Sequence, residues 1–281
     1  MILDSARAEW FKLLRRPAIR VTIALLLAFG VGIGYVLTYL LVTHSPPGRG
    51  ASADLAALRT DLYPASLVKK SLSNASTLAA VFALILGVLA QGNEYAWQTV
   101  KTAQTQLPGR VAIVLGRLLA IALLVLLTVL ALFAVDALAA SLIARADGRS
   151  TSLPPAAVLA EGIAAGWLIF GFMAILGFGL ATLFRQSAMA IGLGLAYVLI
   201  IENLVFGLLP SGASFKRVHD WFPIASAGDL QQSFGQAASV VGIEIVHPGA
   251  VDVTRAVVVL ILWACGLAVL SGALVRFRDI I

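Results

Sequence analysis

Apolar residues gather along the chain into six long runs separated by polar stretches, at about 19–42, 72–91, 111–135, 161–183, 188–209 and 254–275. Each is long enough for a helix to cross roughly 30 Å of hydrocarbon, which takes about 20 residues. The pattern predicts an all-α polytopic membrane protein, a single transmembrane domain over residues 1–281 with six transmembrane helices and both termini on one side. All ten prolines fall outside these runs or at their edges, so the spans are expected to be unbroken. Gly30-x-x-x-Gly34 and Gly162-x-x-x-Gly166 place small residues on one helix face, where they read as packing within the chain rather than as a dimer seam.

Two polar segments carry a pattern of their own. In the leader "MILDSARAEWFKLLRRP", Leu3, Ala6, Trp10, Leu13 and Pro17 follow helical spacing, while Arg7, Lys12, Arg15 and Arg16 supply cationic heads. The leader reads as an interfacial helix lying on the inner leaflet and stopped by Pro17; an anchor relying on charge alone would not need Trp10 and Phe11. The leader lacks a cleavable signal pattern, so the first span is expected to be kept. Between the second and third runs lies "GNEYAWQTVKTAQTQLPGR". Here Ala96, Val100, Ala103 and Leu107 form a narrow apolar line, with Glu94, Gln98, Lys101 and Thr105 largely opposite and Pro108-Gly109 ending the helix. By spacing alone this insert is either a structured loop or a lever that moves two spans together.

Composition fixes the class: 60% hydrophobic and 12% charged residues do not fit a soluble domain, whose charged fraction is near a quarter. Lys and Arg are denser in the short segments that hold the N-terminus, the insert, Arg185 and the C-terminus, which places both termini and the insert in the cytoplasm. The net charge of +6 is thus a mark of topology, and no nucleic-acid partner is expected. Cys265, the sole cysteine, lies in the last span, so neither an intrachain disulfide nor a thiol metal cluster can form. His44, His219 and His247 sit in outer segments without an H-E-x-x-H pattern, so neither a metal site nor catalytic residues are expected. Asn74-Ala75-Ser76 reads as a chance sequon in a long first outer loop, 43–71.

Three acids fall within or near the runs, where a charge is costly. Asp136 and Glu161 are expected at the outer ends of their spans, within reach of water. Glu202, with Asn203 beside it, lies deeper. It is either a satisfied structural acid or a group in a translocation path.

Four segments in order, "EWFKLLRRP", "NEYAWQTVKTAQTQLPGR", "FRQSAMAIG" and "VRFRDI", resemble the permease subunits of ABC transporters of the type 2 export class over the whole chain. The resemblance implies that Glu9, Trp10, Lys12, Arg15, Arg16 and Pro17 belong to a connecting helix. It also implies that Glu94, Tyr95, Thr99, Val100, Lys101, Ala103, Leu107 and Arg110 form a coupling helix docked on a cytosolic ATPase, with Arg185 in a second contact. Short re-entrant helices between spans five and six would cap the outer side, with Trp221, Phe222 and Pro223 at a corner. None of the five lysines follows a glycine, so this chain has no Walker A motif. It is then not itself an enzyme and needs no cofactor of its own; ATP and Mg would sit on the separate ATPase, present in two copies. A second permease, identical or homologous, and membrane lipid complete the expected partners, in the cytoplasmic membrane of a bacterium. An ion-coupled secondary transporter, or a non-transporting membrane anchor or immunity protein, are the alternatives. An apolar-walled path favours amphipathic or hydrophobic cargo.

Overall fold

The computed structural model describes residues 2–44, 52–74, 79–96, 110–202, 218–235 and 252–277. Within them every regular element is helical. Helix α1 (Ile2–Arg15) is followed by α2 (Pro17–Val31), a π turn (Gly32–Leu37) and α3 (Thr38–His44), which together make the first long apolar rod. Then come α4 (Ser52–Thr60), a 3-10 turn at Pro64–Ser66, α5 (Leu67–Asn74) and α6 (Ala80–Ala96). The long α7 (Arg110–Ala146) and α8 (Ala156–Phe184) precede α9 (Ser187–Ala196) with its π turn Tyr197–Ile201. Helix α10 (Pro223–Gln232) and the closing α11 (Val253–Phe277) complete the set.

Among the described residues four helices are long and apolar enough to cross a membrane: Pro17–His44, Ala112–Ala146, Ala156–Phe184 and Val253–Phe277. Two shorter apolar helices, Ala80–Gly92 and Ser187–Ile201, stand among them. The chain is an all-helical membrane protein. Its boundaries follow local chemistry. Pro17 opens α2 at the first helical position, where a missing N–H costs nothing. Gly148, with φ of 63°, ends α7 while Arg149 N–H bonds back to Ala144 O at 2.8 Å, a C-terminal motif that glycine permits.

Helix α8 is the hub. It packs most extensively on α6 and further against α11, α7 and α9. Phe170, Phe172 and Phe178 are fully buried on it. Over its apolar window 56% of residues are buried, against 22% and 17% for the first and last long helices, which therefore form the rim. Lipid offers little hydrophobic drive between helices, so close packing has to hold the bundle. At Gly87 and Gly177 the α6 and α8 backbones touch directly: a Cβ on either would collide with the carbonyl of Ala174 or Leu84. The two glycine motifs also face inward, Gly30 onto Leu132 and Gly162 onto Val68.

Two expectations need correction. The first apolar run, and the fifth as far as Glu202, are continuous helix, but each contains a π turn, one extra residue per turn, with Thr38 Oγ1 donating to Ile33 O inside the first. No proline marks either. Asp136 is not at a watery helix end: α7 continues ten residues beyond it to Ala146, and the side chain is 0% exposed. Glu161, in contrast, is exposed.

Candidate functional site

The end of α6 and the start of α7 flank residues 97–109 of the polar insert, and a buried polar knot ties these two helices together. Arg117 is two turns into α7 and donates from Nη2 to Glu9 Oε1 of α1 at 3.0 Å and from Nη1 to Gln91 Oε1 of α6 at 2.5 Å. All three are buried, Glu9 at 4%, Gln91 at 2% and Arg117 at 5% exposed. Lys12, one turn on from Glu9, adds a half-exposed ion pair at 3.0 Å. Arg16 reaches the Leu89 carbonyl of α6 at 3.4 Å. A buried charge whose partner is removed costs about 3–5 kcal/mol, so Glu9 and Arg117 hold each other in place.

Helix α1 can carry this load because of how it is seated. Gly116, next to Arg117, lets Ser5 come so close that a Cβ there would lie 2.6 Å from Ser5 Oγ. Leu13 is fully buried and Trp10 packs against the same core. The stripe expected to face the inner leaflet therefore packs inward at Trp10 and Leu13. The face left open carries Arg7, Phe11, Leu14 and Arg15. Pro17 is exposed where α2 begins.

The α8–α9 corner closes the ring. Arg185 has φ of 55°, the left-handed conformation that turns the chain, and its N–H bonds Ala181 O at 2.9 Å. Two residues on, Ser187 leaves no room for a side chain at Gly92 of α6. Arg185 is thus brought to the foot of the helix that enters the insert. Glu94 and Tyr95 close α6 and Arg110 opens α7, while Thr99, Val100, Lys101, Ala103 and Leu107 lie outside the described residues. Sequence reasoning named Glu9 and Arg185 separately and gave Arg117 no role in a site. It missed Gln91.

On the far side Glu202 has a definite occupation. It is 2% exposed and follows directly on the second π turn. Its Oε1 accepts from Ala225 N–H at 2.8 Å, and its Oε2 accepts from Ile224 N–H at 3.3 Å and from the Tyr197 hydroxyl at 2.9 Å. These amides are the first of α10, which opens with Pro223 after the extended Phe222, so Glu202 caps another helix's N-terminus from a distance. Asn203 lies outside the described residues. The other side of this piece is fixed to α11. Arg255 binds Asp220 at 3.0 Å and Asp229 at 2.6 Å. Trp263 Nε1 donates to Trp221 O at 3.1 Å, and its ring lies 6.5 Å from that of Phe222. Trp221 remains 56% exposed at the corner.

Fold and site together define a helical membrane protein with an ion-tied foot at the insert and a separately anchored piece, residues 218–235, at Glu202. No protein-family model matches the chain, and no curated protein matches it.

Proposed function

We propose that the chain is the transmembrane permease subunit of an ATP-driven exporter of the ABC type 2 class. In this reading the four long helices and the two shorter apolar ones are six spans, with both termini in the cytoplasm. The chain pairs with a second permease and is driven through residues 93–110 by a separate cytosolic ATPase. Arg7, Phe11, Leu14 and Arg15 of α1 meet the inner leaflet, and residues 218–235 re-enter the outer one to cap the path. Cargo is an amphipathic or hydrophobic molecule.

The observation that supports this best is the Glu9–Arg117–Gln91 knot. A loop that merely connects two spans has no use for a costly buried ion pair at its base. A lever does, because force applied to the insert has to move α6, α7 and α1 as one body. The α8–α9 corner against Gly92 extends that body to the fifth run. On this reading Glu202 belongs to the cap's anchorage rather than to cargo selection.

A second reading, an ion-coupled secondary transporter, draws on the two π turns in the first and fifth runs, since such turns often mark functional sites. Affinity capture of the full chain from mild detergent, with mass spectrometry of what accompanies it, separates the two. The exporter reading requires a stoichiometric soluble ATPase and ATP hydrolysis by the captured complex; capture of the chain alone would defeat it.

A further inference from the structure

The corner between α1 and α2 sets exposed cations beside an apolar ladder. Arg16 is extended there, with ψ of 118°, and Pro17 opens α2. Arg16 turns inward to the Leu89 carbonyl of α6, while Arg15 and Arg20, on either side of the corner, are exposed. Arg20 Nε donates to Leu14 O at 2.6 Å, which serves one of the last carbonyls of α1 and holds the guanidinium at the residue next to Arg15. That bond uses Nε alone, so both Nη groups are open to a further acceptor. Among the described residues neither Arg15 nor Arg20 pairs with an acid: Glu9 is taken by Arg117 and Lys12, and Asp4 lies in the first turn of α1.

The same corner carries an apolar face. Phe11 and Leu14 are 53% and 42% exposed next to these cations, while Leu13 is fully buried. Down α2, Val21, Leu25 and Phe29 follow at i, i+4 and i+8 and are 56%, 43% and 44% exposed, whereas Ile19 and Leu26 are buried. By helical rise the ladder from Val21 to Phe29 covers about 12 Å, against roughly 15 Å for the hydrocarbon of one leaflet. The rod Pro17–His44 is long enough to span, so its first turn lies at a membrane surface, whichever side that is. A nucleic acid or an acidic protein would match the cations but not a ladder that continues into hydrocarbon. A phosphate head with acyl chains matches both.

We propose that Arg15 and Arg20 bind the phosphate of an anionic phospholipid whose acyl chain lies along Val21, Leu25 and Phe29. Guanidinium suits this role because its planar fork gives paired N–H bonds to phosphate oxygens. A zwitterionic lipid presents the same phosphate with an ammonium group that cancels its charge, so the two classes are told apart by the net charge of the head. The inference rests on the proposed reading of α1 as a helix at the membrane surface. It needs no motor, so the absence of an ATPase from captured complexes would leave it standing.

The test is native mass spectrometry of the full chain in mild detergent, titrated with dioleoyl phosphatidylglycerol or with dioleoyl phosphatidylcholine. The first should bind several-fold more tightly than the second. Arg15→Gln and Arg20→Gln should each weaken phosphatidylglycerol about five-fold, the factor for one cation at an anionic surface, with a smaller effect on phosphatidylcholine. The Arg15 side chain makes no bond among the described residues, so its variant decides the matter even if Arg20→Gln does not fold. Arg149→Gln, which removes an exposed cation between α7 and α8, should leave both affinities unchanged. Glycerol phosphate, the head without its chains, should not displace the lipid. Equal affinity for the two lipids, undiminished phosphatidylglycerol binding by Arg15→Gln, an equal loss in Arg149→Gln, or displacement by glycerol phosphate would overturn the proposal.

Discussion

At the scale of single residues the chain spends its buried charge in few places, and each can be probed. Glu9 and Arg117 are 108 positions apart and both are below a tenth exposed, so replacing either takes a buried charged partner from the other, although Lys12 still pairs with Glu9. Glu9→Gln and Arg117→Met are each expected to lower stability by about 3–5 kcal/mol. The double variant should lose clearly less than the sum, because no charge is then left alone. Thermal melting of the four proteins in one detergent gives the coupling directly, and additive losses would show that the pair carries no mutual energy. Glu202 behaves differently. Its Gln variant can keep the carbonyl on Ala225 N–H and turn the amide toward the Tyr197 oxygen, losing little; its Leu variant leaves the first amides of α10 without an acceptor, at a cost of about 1–3 kcal/mol. Transport by Glu202→Gln should be near that of the parent for cationic and neutral cargo alike. A selective loss of cationic cargo would put Glu202 in the path after all.

Whole elements show what could be read from sequence and what could not. The apolar runs announced the long helices because a helix that meets lipid must be apolar along its length, and α8 and α11 lie close to where the runs put them. The residues of the knot were present one by one, yet nothing in a single sequence pairs Glu9 with Arg117 or brings Gln91 to both. The π turns carry no proline, and Gly32 and Gly34 are at most a faint sign of the first. Asp136 was misplaced because the third run was ended at 135, although "ALAASLIARA" after it continues a helical apolar pattern to Ala146. The glycine spacing drew notice to Gly30 and Gly162, whereas backbone contact falls at Gly87 and Gly177, which lie on different helices and share no motif. That contact makes an element-scale prediction. Gly177→Val should force α8 from α6 and abolish folded yield, while Gly171→Ala, on the same helix with open space at its Cβ, should be silent. Equal yields of the two in size-exclusion profiles would mean that α6 and α8 do not cross at these glycines.

For the molecule as a whole, the proposal of six spans with an inner foot and an outer cap is a statement about sides. With Cys265 replaced, cysteines at Ala8 on the open face of α1 and at Thr105 should react with an impermeant thiol reagent only after cells are opened, and one at Thr60 should react in intact cells. Labelling of Ala8 in intact cells would break the six-span arrangement and with it the inner location of the knot. The knot and the Asp136–Ser71 contact lie toward opposite ends of α7, and α8 runs from Ala156 to the Arg185 corner. On the proposed reading, a push at the insert travels along α7 and α8 toward the other side.

The central claim is that the insert receives force from a separate ATPase, and replacing Val100 and Leu107 with Asp tests it most directly. These residues stand on the insert's apolar line, so the double variant should insert and pair normally but lose its motor. The measurement is the molar ratio of ATPase to permease in complexes captured from mild detergent. A ratio near one in the parent and near zero in the double variant, at equal permease yield, is the expected result; an ATPase retained in full by the double variant, or missing from the parent, would contradict it.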